Sequence, residues 1–136
     1  MRIMPKESVI KNKARKMEII IYGDIISKKN SKQIVCRGRY PLVLPSRAYQ
    51  NWCEATLLEL KKYRPKNPIE RCKIDITFYS KTNRAADLDN KLGSVLDVLV
   101  EAGIIVDDNW NCVYQITIKY AGKSEPRAEI KLSTLS

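Results

Sequence analysis

Apolar residues recur along this chain in two periods, and the changes between them mark out its elements. From Glu70 to Ser80, Cys72, Ile74, Ile76 and Phe78 alternate with Lys73, Asp75, Thr77 and Tyr79, the pattern of a half-buried strand. The β-branched run Ile19-Ile20-Ile21-Tyr22 predicts a strand over Met17 to Ile26, with a bulge or turn at Gly23-Asp24. Two short apolar runs, 33–38 and 40–44, flank a glycine-containing turn and read as a hairpin. Between Trp110 and Tyr120, Cys112, Tyr114, Ile116 and Ile118 share one face; 122–126 turns, and 127–132 closes the sheet. Helical spacing appears twice. Tyr49, Cys53, Thr56, Leu57 and Leu60 follow an N-cap signal at Ser46, giving a helix to about Tyr63 that stops before Pro65. Leu88, Leu92, Val95, Leu99 and Ala102 form a second stripe, widened by Leu96, on a helix from Asn90 to Ala102 that Gly103 ends. The whole predicts an α+β domain: a mostly antiparallel sheet with two main helices packed on it.

A chain of 136 residues suits one domain and buries enough surface to need no staples. Residues 1–16 carry six basic side chains, one acid and no sustained period, so they read as a basic N-terminal tail ahead of a domain over 17–136. Four cysteines are scattered without a C-x-x-C pair, which argues against a zinc site. Cys53, Cys72 and Cys112 fit apolar patterns as small core residues. With no signal-like segment and no long apolar run, the chain reads as cytoplasmic and free of membrane.

Charge changes the picture. The chain carries 25 Lys and Arg against 15 acids, a net charge of +10, and it has no histidine. The commonest general base and metal ligand is therefore missing, leaving carboxylates, lysines and water. Yet Asp87 to Asp108 holds six acids against Lys91 alone, a local balance of −5. A carboxylate cluster inside a cationic protein is what a metal-dependent enzyme acting on a polyanion needs: oxygen ligands for a hard cation, positive surroundings for the substrate. Asp87 and Asp89 are two apart, so in extended chain both face one side. Asp89 or Asn90 suits the cap of the following helix, whose N-terminus favours ionised carboxylates. Ile104-Ile105-Val106 suits an extended return that brings Asp107-Asp108 back toward Asp87 and Asp89, one of the pair pointing at the shared site. The bland alternative is a helix cap and a polar turn.

The run Asn83-Arg84-Ala85-Ala86-Asp87-Leu88-Asp89-Asn90, then Val95-Leu96-Asp97-Val98-Leu99, then Ala102-Gly103-Ile104 and Asp107-Asp108, resembles the RusA family of Holliday junction resolvases. The resemblance is strongest over 83–115, weaker over 17–80, and absent from the first sixteen residues. It implies a homodimeric, magnesium-dependent endonuclease of bacteria or their phages, with manganese as the substitute ion. It also implies that Asp87, Asp89 and Asp108 are the catalytic, metal-binding carboxylates. Ser27 to Lys32 resembles the family's polar loop that approaches DNA, and this makes Lys28 and Lys29 candidate phosphate contacts beside Arg84 and Lys91. One departure stands out: where the family usually has a lysine, four residues after the second Asp, this chain has Gly93.

The expected activity is resolution of four-way junctions by paired symmetric nicks, in recombination and repair. Two matched nicks by a chain with one carboxylate cluster require two copies on a two-fold axis, hence a homodimer. The alternatives are a nucleic-acid-binding module without catalysis and a degenerate relative that binds junctions without cutting.

Overall fold

The computed structural model describes residues 15–28, 32–37 and 40–134, with the backbone alone at 32–37 and 40–43. Of the expected tail at 1–16, residues 1–14 lie outside the described residues, as does Lys29, while Arg15 and Lys16 belong to the first strand. In chain order the elements are β1 (Arg15–Tyr22), β2 (Lys32–Arg37), β3 (Tyr40–Pro45), α1 (Arg47–Leu60), β4 (Cys72–Ser80), α2 (Leu88–Glu101), β5 (Val113–Lys123) and β6 (Arg127–Thr134). A short 3-10 turn, Lys61–Tyr63, extends α1.

The main sheet has the order β1-β6-β4-β5, and β2 and β3 form a separate antiparallel hairpin. β6 pairs antiparallel with both β1 and β4, whereas β4 pairs parallel with β5. The arrangement is the expected α+β one, with a parallel pair that alternation alone did not announce. It follows from connectivity: parallel neighbours need a crossover, and α2 supplies it between β4 and β5.

Central strand β4 alternates buried and half-buried residues along its length, with Cys72, Ile74, Ile76 and Phe78 inward. They join Ile130 and Leu132 of β6, Ile19 and Ile21 of β1, and Val95, Val98 and Leu99 of α2 in one apolar core. Each fully buried aliphatic side chain contributes about 1.5–3 kcal/mol. Truncating Leu99, which is fully buried, to Ala would cost about 2–5 kcal/mol. Two stripe assignments shift. Leu88 is the first residue of α2, ahead of the part of the helix that lies over the core, and it is 38% exposed; Val98 is buried in its stead.

Ser46 caps α1, its hydroxyl accepting from the Tyr49 amide at 3.1 Å. At the far end of α2, Gly103 adopts φ 76°; its amide donates to Val100 O at 3.0 Å and that of Ile104 to Leu99 O at 3.0 Å. These two bonds close a left-handed glycine cap that a side chain with a Cβ would strain. The return through Ile104 and Ile105 is buried and bridges Ile69 in parallel, Ile69 N donating to Ile104 O at 2.9 Å.

Strand ends differ from expectation where turns compete. Trp110 does not open β5: Asn109 O accepts from the Cys112 and Val113 amides at 3.0 and 2.8 Å, so 109–112 is a turn and Trp110 is 84% exposed. β5 in turn runs on to Lys123 through a register shift opposite Phe78 to Ser80. β1 starts at Arg15 and stops at Tyr22, where Gly23 takes φ 89° and its amide donates to Pro126 O at 2.8 Å. No helix among the described residues is long and apolar enough to cross a membrane.

Candidate active site

β4 ends at Ser80, and an exposed loop, 81–87, carries the chain to α2. Ser80 Oγ donates to Thr82 O at 2.7 Å, and the Arg84 amide donates to Thr82 Oγ1 at 3.3 Å, which holds the loop in shape. The N-cap position of α2 falls to Asp87, not to Asp89 or Asn90, and its side chain makes no bond to the helix backbone. Asn90 ties the two acids together. Its amide side chain donates to Asp87 Oδ2 at 3.2 Å, and its backbone N–H donates to Asp89 Oδ1 at 2.9 Å. Both carboxylates are exposed, both meet the positive end of the helix, and each keeps an oxygen outside these bonds. Arg84 and Asp87 line the same cleft, of about 490 Å³.

Lys91 turns inward. Its Nζ donates to Ile25 O, and the side chain is half-buried. Burial pulls its pKa below the ordinary lysine value, an effect opposed by the charge of Asp24. One turn on, Ser94 is 1% exposed; its hydroxyl donates to Ile26 O at 2.6 Å and accepts from Lys28 N at 3.3 Å. Lys91 and Ser94 thus clamp 25–28, the segment leading into the candidate DNA-approach loop, onto the helix that starts at the two acids. Ser94 was missed in the sequence, though a signal was there: a serine beside Val95 on a helix otherwise apolar on that side.

Asp107 and Asp108 follow the return through Ile104 and Ile105. Asp107 Oδ1 accepts from the Asp108 amide at 2.7 Å, and Asp107 Oδ2 accepts from Asn109 Nδ2 at 3.1 Å, so the pair sits in a turn. Strand alternation does not apply there, and both acids, not one, line a common cavity of about 530 Å³ with Lys28, Tyr49, Asp97 and Glu101. That cavity flanks the C-terminal half of α2, whereas Asp87 and Asp89 occupy its N-terminus. Burial raises the Asp108 pKa, helped by the hydrogen bond and charge of Asp107 and by the charge of Asp97. Among the described residues no three carboxylates or thiols converge as a metal-binding group. The return that leads to the pair is fixed on Ile69, whose carbonyl also accepts from Val106 N at 3.0 Å.

The donor chemistry still suits a hard divalent cation. Mg²⁺ commonly takes one or two carboxylates and completes its shell with water and substrate phosphate. Asp87 and Asp89 meet that requirement as a pair.

A family model described as Endodeoxyribonuclease RusA matches residues 23–133. The chain belongs to the RusA endodeoxyribonuclease family. No curated protein matches it. Within a RusA chain, Gly93 becomes informative. It lies on the exposed stripe Asp89, Gly93, Asp97, Glu101, and a Cβ built there meets nothing within 4 Å. The position is empty by sequence, not closed by structure. Lys91 does not stand in for the family's lysine, since its ammonium is committed to Ile25 O.

Proposed function

We propose that this RusA-family protein is a magnesium-dependent endonuclease that cuts branched DNA, four-way junctions above all, as a homodimer making two matched nicks. The observation that carries the reading is the Asp87–Asn90–Asp89 grouping on a helix N-terminus, sharing a cleft with Arg84, in a chain of net charge +10. Asp87 and Asp89 hold the cation through their oxygens, with manganese as its substitute. When bound, such an ion polarises a phosphoryl oxygen and lowers the pKa of water. Arg84 pairs a phosphate oxygen of the strand to be cut, and the 25–28 clamp holds Lys28 on the same helix. Asp108 enters as the third catalytic acid through the family resemblance, which also implies a 5′-phosphate and a 3′-hydroxyl as products. Recombination and repair are the processes such nicks serve.

Replacing Asp89 by Asn tests the assignment. Cleavage of a four-way junction should be lost, while binding is kept or tightened because one negative charge has left the phosphate path. Retained cleavage would remove Asp89 from the site. A second reading, a relative that binds junctions without cutting, is favoured by Gly93, which leaves the family's lysine position without a cation. It is distinguished by wild-type protein that shifts the junction in a gel and leaves both strands whole with magnesium present.

A further inference from the structure

Loop 81–87 separates two cavities, and the acid-bearing cleft is only one of them. The other, of about 450 Å³, lies against the ends of β4 and β5 and shares Asp24, Ile25, Ser80, Arg84 and Lys91 with the cleft. Its walls differ in kind. Phe78, Tyr79, Leu88 and Tyr120 line it, while Asn83 and Arg84 add polar groups. Leu88 and Tyr120 are 38% and 49% exposed, so both present surface to the cavity.

Tyr120 is fixed in place. Its hydroxyl is 2.6 Å from Ser80 Oγ, and Ser80 gives its own proton to Thr82 O, so the tyrosine is the donor. The hydrogen-bonding end of the ring is thereby committed to the catalytic loop, leaving the π-face for contact. Tyr79 is braced by the Arg127 guanidinium, 3.8 Å from its ring centre.

We propose that this cavity receives an unstacked nucleobase of the DNA strand whose phosphate lies in the adjoining cleft. The inference rests on the endonuclease reading and deepens it by naming how the strand is held. Three observations select a base over another occupant. The cavity adjoins the cleft of Asp87 and Arg84 and shares Asp24, Ile25, Ser80, Arg84 and Lys91 with it, as base adjoins phosphate in one nucleotide. Its volume falls within the range of small-ligand sites and exceeds that of a base. Its lining pairs a pinned aromatic ring and an aliphatic wall, which stack on any base, with an Asn amide that both donates and accepts, which suits a base edge. A base at a branch point has lost a stacking neighbour, so unstacking costs least there. The same cavity makes Tyr120, Leu88 and Asn83 the residues that set preference for the nucleotide beside the cut.

The test is an abasic scan. Four-way junctions lacking one base at each position around the branch are bound to the full-length protein in a gel shift with EDTA, so that no cleavage is needed. Wild type should show one position where loss of the base weakens binding on the order of 10-fold. Tyr120→Ala should bind the intact junction about that much more weakly and be indifferent to the abasic site, while Tyr120→Phe keeps the dependence. A junction that binds equally well with every base removed overturns the proposal and leaves the nuclease reading standing. So does a sensitive position that Tyr120→Ala does not abolish. A base dependence carried by Tyr120 in a protein that never cleaves with magnesium supports the pocket and fails the nuclease reading.

Discussion

Replacing Gly93 by Lys puts the family's lysine back where this chain lacks it, and the structure gives the size of the effect. Position 93 lies mid-helix in α2, exposed, with nothing within 4 Å of an added Cβ. Removing a glycine from a helix interior in favour of lysine contributes about 0.7 kcal/mol. The new ammonium sits four residues after Asp89, the favourable order for an i,i+4 pair, which adds about 0.3 kcal/mol. The total is about 1 kcal/mol. At roughly 2.1 cal/mol/K per residue, the 136-residue chain has an unfolding entropy near 0.29 kcal/mol/K, so Tm should rise by about 3–4 °C. Thermal melts by circular dichroism at low salt and at about 1 M salt divide the gain: the ion-pair share should vanish with screening while the propensity share stays. In the junction assay the same variant should cut faster than wild type, since a cation now flanks Asp89. A Tm that falls would refute the open, helical setting of Gly93. A Tm that rises without faster cutting would show that this chain has no use for the lysine.

Ser94→Ala removes both bonds that the buried hydroxyl makes to 26–28, at a cost of about 1–3 kcal/mol. Tm should fall by about 4–10 °C, and amide exchange at Lys28 should speed up; a shift under about 1 °C would dissolve the clamp. Cys72, fully buried, has its thiol pKa pushed up to about 11 by burial. In the unfolded chain the thiol ionises at its ordinary, lower pH, so this stability is complete below pH 9 and lost as pH climbs through 11, about 2–3 kcal/mol in all. Denaturant titrations at pH 8.5 and 11.5 should show a smaller alkaline loss in Cys72→Ala; an equal loss would assign it to other groups. Sedimentation at micromolar protein should show a dimer, and a monomer that cuts both strands in concert would end the two-fold argument.

The parts of the fold that were legible in the sequence are those set by local chemistry. The alternation in β4, the serine cap of α1 and the glycine stop of α2 each depend on a few neighbouring residues. What escaped depends on partners far along the chain. Nothing in β5 announces that it pairs parallel to β4, and Tyr120 gains meaning only because Ser80 lies beside it. The acids divide in the same way. Asp87 and Asp89 are neighbours in sequence, and one asparagine holds both. The position of Asp108 depends on how far the buried Ile104-Ile105 segment is anchored to Ile69, 36 positions away. Lys91 reads as a surface cation on a helix, and only the packing of 24–26 against α2 turns it inward.

One measurement bears on the central claim most directly. A synthetic four-way junction, labelled in turn on each strand, is incubated with the full-length protein with and without magnesium and resolved on a denaturing gel. The account predicts matched nicks at symmetric positions on two opposed strands, with ligatable ends, only when magnesium is present. Strands that stay whole under saturating protein and magnesium, while the junction is visibly bound, would contradict it.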